Sequence, residues 1–308
     1  MKQKFNFYAH NWSRLFVLIV SIFVIDGHFY VKYYPQVREF LMNIPIPVLN
    51  CYSVPTTLYA CPVGTFQHFL VIGYFSFVTF GLLLLIGGLV GRWTCGWLCP
   101  FGFVQELLHL IPSPKFKIPK WARYIKYIIL LVFVVIMPLF VANVHSPETG
   151  KSKMVLVSQL PEDEQDFAQR ETWFCRLICP AGTLGAGIPQ VLMKDNLKDL
   201  VGMLYWWKIA ILFIVLTSAV FTRRPFCTTI CPLGAFLGLF NRFSILKLTL
   251  IEEHCYNCNL CVRDCPMGLD PRKDYRSPEC IRCMNCVQKK CFAIRKYASI
   301  TDEMPQKN

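Results

Sequence analysis

The sequence predicts a mainly α, polytopic membrane protein with four transmembrane helices in two repeated halves and a small carboxyl-terminal α+β domain. Three observations lead there. Mean hydropathy is +0.40, and several apolar runs are long enough to cross a bilayer. A unit of the form CPxG, apolar helix, basic residue, CxxxCPxG occurs twice. Sixteen cysteines occur in 308 residues, and those from Cys255 to Cys291 are crowded enough to mark a separate domain. The division expected is 1–245 for the membrane part and 246–308 for the cysteine-rich part.

Taken in order, Lys2, Lys4 and Arg14 precede a first apolar run from Leu15 to about Val31. No small-residue cleavage site follows, so it reads as an uncleaved span. Asp26 and His28 interrupt its far end; ionisable groups at membrane depth are functional candidates, and a place in the interface is the plainer alternative. A second span is expected from about His68 to Val90, ending in Gly91-Arg92-Trp93. A basic loop with Lys115, Lys117, Lys120 and Arg123 leads to a third span from about Tyr127 to Asn143. The stretch from His145 to Val201 is acidic in its first half, with Glu162, Asp163, Glu164 and Asp166. A fourth span from about Met203 to Phe221 closes on Arg223-Arg224. Lys and Arg near the span ends place the amino terminus, the 92–124 loop and the carboxyl-terminal domain in the cytoplasm, and the loops around 34–66 and 145–201 in the periplasm. The net charge of +13 suits that orientation better than nucleic-acid binding, for which no recognition motif is present.

In the last domain Cys255, Cys258 and Cys261 are spaced by three, and Cys265 follows with Pro266 behind it. The pattern nearly repeats at Cys280, Cys283, Cys286 and Cys291, with one extra residue before Cys291 and Phe292 where Pro is usual. Three thiolates on a short loop wrap one face of an iron–sulfur cube, and the fourth corner needs a ligand from elsewhere in the chain. In two-cluster bacterial ferredoxins, which this run resembles, the fourth Cys of each run serves the other run's cluster. The expected assignment is therefore Cys255, Cys258, Cys261 and Cys291 for cluster one, and Cys280, Cys283, Cys286 and Cys265 for cluster two. Zinc or disulfides are the alternatives, but zinc sites favour two ligand pairs with a long spacer. Such a domain carries one electron at a time and needs no catalytic acid, base or nucleophile.

The remaining thiols follow the repeat. Cys61-Pro62-Val63-Gly64 precedes the second span, and Cys95 and Cys99-Pro100-Phe101-Gly102 follow it. Cys175 and Cys179-Pro180-Ala181-Gly182 precede the fourth, and Cys227 and Cys231-Pro232-Leu233-Gly234 follow it. Two halves related by rotation about the membrane normal would gather Cys95, Cys99, Cys227 and Cys231 at the cytoplasmic face. Cys51, Cys61, Cys175 and Cys179 would gather at the periplasmic face, Cys51 replacing the Cys that Thr57 is not. Cys61 and Cys95 are 34 residues apart, roughly 50 Å if helical throughout, so the sets are expected at opposite faces. Two further four-iron clusters are chemically reasonable, since Pro after Cys opens a helix whose free N–H groups favour a thiolate. The outer set has disulfides as an alternative, and the inner set a copper or thiol-redox site.

Two CxxxCP motifs after apolar helices, followed by a dicluster ferredoxin domain, resemble the membrane polyferredoxins of the NapH type, with relatives in nitrous oxide reductase and methylamine dehydrogenase systems and in a membrane cupric reductase. The resemblance runs from the first span to Cys291. It implies cluster ligation by Cys95, Cys99, Cys227, Cys231 and the eight carboxyl-terminal thiols, and electron flow from quinol toward periplasmic partners. The expected function is an inner-membrane iron–sulfur carrier linking a quinone pool or cytoplasmic donor to a periplasmic redox enzyme. The alternative is a metal-ion (cupric) reductase or metalloenzyme assembly factor. Asp26, His28, His68 and His145 lie near outer span ends, where a quinone or haem is a further expectation; packing without a ligand is the simpler reading.

Overall fold

The computed structural model describes residues 12–26, 35–51, 53–54, 56–145, 152–156, 169–198, 201–252, 255–274, 276–287 and 292–296. Cys291, His28 and the acidic stretch 162–166 fall outside them. The opening helices are α1 (Trp12–Ile25) and α2 (Pro35–Met42). Two equivalent halves follow.

In the first half Pro62 opens α3 (Pro62–Val71), since its fixed φ suits the first helical turn and its missing N–H costs nothing there. Gly73 at φ 80° then reverses the chain into α4 (Phe77–Val90). Phe66 on α3 lies 5.7 Å from Phe75 and 6.5 Å from Phe80, which closes an antiparallel hairpin. The single span expected from His68 to Val90 is therefore two helices, because a positive-φ glycine in mid-run supplies a turn that apolar composition conceals. Counted from that turn, Cys61 and Cys95 differ by roughly 15 Å of helix rise, not by the width of the bilayer. Short α5 (Trp93–Trp97) and α6 (Pro100–Leu108) complete the half.

A continuous helix α7 (Lys120–Phe140) crosses next, widening to π geometry over Leu130–Ile136. A three-stranded antiparallel sheet follows, with β1 (Val141–His145) between β2 (Ser152–Leu156) and β3 (Gln169–Arg170). The third span is thus displaced toward its amino end, and its expected tail is β1. The second half repeats the first: α8 (Trp173–Leu177), a helical segment α9 over 180–193, then α10 (Met203–Phe221), α11 (Pro225–Thr229) and α12 (Pro232–Phe240).

Two helices, Lys120–Phe140 and Met203–Phe221, are long and apolar enough to cross a membrane, and only 17% of the apolar window of each is buried, the reverse of a soluble core helix. α1 and α4 are apolar but have 14 residues each, roughly 21 Å against a hydrocarbon core of about 30 Å. Phe16, Phe23, Phe77, Leu85, Leu131 and Phe213 are exposed along these four helices, the surface expected of a protein solvated by lipid.

The last domain starts with β4 (Leu246–Leu250), which pairs antiparallel with β5 (Phe292–Lys296), Leu250 opposite Phe292. Short helices α13 (Leu260–Arg263) and α14 (Pro271–Asp274) lie between them. Leu248, Cys261, Cys286 and Phe292 form its own small core.

Candidate functional site

Four turns of the same construction present the CP cysteines. Cys61, Cys99, Cys179 and Cys231 each cap a helix in extended conformation, at ψ 124°, 111°, 106° and 111°, with Pro at the first helical position. At Cys231 the Gly234 amide donates to the sulfur at 3.3 Å. The Gly64, Gly102 and Gly182 amides lie toward the sulfurs of Cys61, Cys99 and Cys179 without closing the same hydrogen bond. A helix N-terminus is thereby aimed at these sulfurs, which offsets part of the burial that otherwise favours the neutral thiol.

The sulfurs converge as two groups. Cys51, Cys61, Cys175 and Cys179 line a cavity of about 280 Å³, with Lys208, Thr172 and Gln190 in its walls. Cys95, Cys99, Cys227 and Cys231 line a smaller, more enclosed one with Arg92, Val48 and Leu49. Leu49 belongs to both walls, so the two groups are neighbours. The expectation that they occupy opposite faces is corrected accordingly: the hairpins carry Cys61 and Cys179 inward. Non-helical backbone at that depth is tolerated where protein buries it, and Cys61, Cys179, Val48 and Leu49 are all buried.

Residues that the motifs did not single out hold the groups in place. Gln67, six residues after Cys61, donates to Phe133 O at 2.6 Å within the π segment of α7 and accepts from the Cys175 thiol at 3.3 Å. Gln105, six residues after Cys99, donates to Cys227 Sγ at 3.2 Å and accepts from Phe226 N–H at 3.1 Å. In both layers a glutamine from the first half secures the leading cysteine of the second. The signal was in the sequence as the shared Cys-to-Gln offset.

Arg92 and Arg224, each three residues before a CxxxCP motif, are fully buried and crossed. Arg92 donates to Cys227 O at 2.6 Å, and Arg224 donates to Cys95 O at 2.8 Å. Each guanidinium lies on the glycine of the other half's CPxG: an added Cβ would come within 2.6 Å of Arg92 at Gly234 and 3.1 Å of Arg224 at Gly102. Two buried carboxylates complete the lattice. Glu106 joins Arg14 and Arg224 at 2.8 Å each, and Glu279 joins Lys126 at 2.5 Å and Arg92 at 3.3 Å. Burial pushes the Glu106 pKa up, but Arg14 and Arg224 outweigh it and hold the carboxyl below its ordinary range.

The ferredoxin-like loops share one backbone. Asn257 and Asn259 have φ of 51° and 58°, and Arg282 and Met284, at the same offsets from their cysteines, have 48° and 63°. Left-handed non-glycine residues cost about 1–2 kcal/mol each and persist where function over-determines them. Alternating hands turn successive N–H groups inward, a concavity found around iron–sulfur sites. Cys265, Cys280, Cys283 and Cys286, the set assigned to cluster two, line one pocket together with Cys261 of the other set. Burial pushes the Cys265 thiol up to about 12 and the Cys280 thiol up to about 11. Buried sulfurs whose charge is this costly suit a cationic iron group, which displaces their protons. Of the cluster-one set, Cys261 is buried, Cys255 half-buried and Cys258 exposed, and Cys291 lies outside the described residues.

The second loop sits directly on the inner layer. Gly96 touches Ile281 O closely enough that a side chain there would clash. Trp97 donates to Arg282 O at 3.1 Å, and Asn241 donates to Cys280 O at 2.6 Å.

None of the fifteen described cysteines forms a disulfide. Among the described residues, no three or more Cys, His, Asp or Glu converge tightly enough for a single ion. Arg92 Nε and Arg224 Nε are buried without a hydrogen-bond partner among the described residues. Arg92, in the wall of the four-sulfur cavity with a cationic donor left over among the described residues, fits an anionic iron–sulfur cluster. His68 is exposed and Asp26 half-buried, and neither lines the thiol cavities. The side chain of His145 is outside the described set.

Fold and thiol layout define an iron–sulfur protein of ferredoxin type built on an apolar helical body. The family described as 4Fe-4S binding domain matches residues 59–71, 72–119, 169–194 and 203–250, the two halves of the repeat and the first strand of the carboxyl-terminal domain. The chain is related to ferredoxin-type electron-transport proteins. It is 26% identical over 236 residues to an uncharacterized protein of Methanocaldococcus jannaschii, covering 76% of each chain. It is 29% identical over 205 residues to the regulatory protein NosR of Stutzerimonas stutzeri, covering 62% of this chain and 22% of NosR. A 61-residue stretch is 39% identical to the methylamine utilization ferredoxin-type protein MauN of Paracoccus denitrificans, 20% of this chain and 21% of that one. No solved structure matches.

Proposed function

We propose that the chain is a NapH-type integral-membrane electron carrier holding four [4Fe–4S] clusters in series. Cys51, Cys61, Cys175 and Cys179 would hold the outer one, and Cys95, Cys99, Cys227 and Cys231 the inner one. The ferredoxin domain holds two more, Cys280, Cys283, Cys286 and Cys265 for the nearer and Cys255, Cys258, Cys261 and Cys291 for the farther. Each cluster supplies reversible one-electron storage without bond making at the protein. The observation that carries the reading is continuity: Leu49 is shared by the outer and inner cavities, and Gly96 abuts Ile281 between the inner cavity and cluster two. Tunnelling falls exponentially with distance, so such close neighbours are what a wire requires.

The carrier would join a quinone pool or cytoplasmic donor to a periplasmic redox enzyme, with both termini cytoplasmic and the sheet of β1, β2 and β3 outside. The cluster-one loop is the port for a soluble partner: Tyr256 is 86% exposed and Cys258 is exposed. Arg263, Arg272, Lys273 and Arg276 around it favour an acidic protein. The test is reduction of the anaerobically purified chain in nanodiscs by a soluble low-potential ferredoxin. All four clusters should reduce, and a variant lacking cluster one by Cys258→Ser should fill slowly. Equal rates in the two proteins would refute the port.

A further inference from the structure

The inner and outer thiol groups share their turns but not their electrostatic surroundings. Around the inner group stand four buried cations, Arg14, Arg92, Lys126 and Arg224, against two buried carboxylates, Glu106 and Glu279. Among the described residues, the cations of this lattice thus outnumber its carboxylates. The outer group has Lys208 in its wall and the half-exposed Arg176, which is paired with Glu171.

Two of the inner cations are placed with more care than neutralising a carboxylate requires. Arg92 and Arg224 reach across the pseudo-symmetric interface to the backbone of the opposite motif, and glycine at positions 102 and 234 leaves room for them. Each keeps a buried Nε with no protein acceptor among the described residues. Gln105 adds a third donor at Cys227 Sγ. A charge in a low-dielectric interior acts strongly on its neighbour, since little water screens it.

We propose that Arg92 and Arg224 are positioning residues that lock the two CxxxCP turns together and raise the reduction potential of the group held by Cys95, Cys99, Cys227 and Cys231, making it the electron sink between the outer group and cluster two. This rests on the four-cluster reading. An electron arriving from a neighbouring iron–sulfur cluster adds one negative charge, no bond forms or breaks, and the two guanidinium groups favour the reduced state over the oxidised one.

The test is an EPR-monitored redox titration of the full chain, purified without oxygen, with the inner signal identified by its loss in Cys95→Ser/Cys227→Ser. Arg92→Gln and Arg224→Gln should each lower the reduction equilibrium constant of that signal at least tenfold, about 59 mV for one electron, and leave the outer signal in place. Arg92→Lys and Arg224→Lys, which keep the charge but lose the fork, should retain most of the potential. Should a Gln variant lose its inner iron, retention of iron and potential in the Lys variant supports the role of charge. An inner midpoint that ignores the Gln substitutions, or falls equally with Lys, overturns the inference. Absence of any inner signal in the unsubstituted protein instead sinks the four-cluster reading itself.

Discussion

The two thiol layers of the membrane body are made from one recipe and finished differently. Both use Cys-Pro caps, a glutamine from the first half and cysteines from the second. The inner layer is closed over by crossed arginines and by the ferredoxin loop, whereas the outer layer opens into a 280 Å³ cavity with half-buried Cys51 and Cys175. The motif thus supplies buried sulfurs at helix N-termini, and the surrounding charges and walls decide what each group does.

Paired thiol deletions break the comparison most severely. Cys95→Ser/Cys227→Ser and Cys61→Ser/Cys179→Ser should each remove about four irons per chain and leave about eight in the ferredoxin domain. Iron and acid-labile sulfide assays on each variant decide it; loss of both membrane groups from either substitution would show one shared site where two are described.

The next largest effect concerns the ionic lattice. Glu106→Leu removes the buried carboxylate that Arg14 and Arg224 share, and breaking such a pair from one side costs about 3–5 kcal/mol. The expected outcome is a sharply lower thermal midpoint in detergent, followed by circular dichroism. Arg176→Ala, at the partly exposed outer pair with Glu171, should cost only about 0–1 kcal/mol. Equal losses would erase the distinction between the layers.

How far the sequence anticipated this follows from what each signal encodes. Met203–Phe221 was readable to its bounds because uniform apolarity and a closing Arg223-Arg224 are local properties. The hairpin at Ile72–Ser76 was hidden, since Gly73 in an apolar run reads as a tolerated residue and only its φ of 80° reveals the turn. The assortment of thiols into inner and outer sets was legible from the repeat, but their nearness was not, because it depends on that turn. Arg92 and Arg224 were visible as basic residues closing spans. Their crossing was not, for it joins residues 135 and 129 positions apart in the chain.

Gln105→Leu gives a smaller, sharper test. It orphans the buried Phe226 N–H and removes a donor from Cys227, a loss of about 1–3 kcal/mol that should come with a lower inner potential. Unchanged stability and potential would deny the glutamine its role.

Smallest is the response to pH. With its folded pKa held below the unfolded value of about 4.3, Glu106 contributes stability that is fully present above that unfolded pKa and is lost as pH falls through the folded one. The stability contributed by Glu106 should not vary between about pH 5 and 8, and melting curves should show an acid slope that Glu106→Gln lacks. A Glu106-dependent slope near neutrality would contradict the pairing.

The central claim is tested most directly by counting iron and inorganic sulfide in the full chain prepared without oxygen, with EPR of the reduced protein. Four clusters predict about sixteen irons and as many sulfides per chain. About eight, with signals from the ferredoxin domain alone, would contradict the membrane wire.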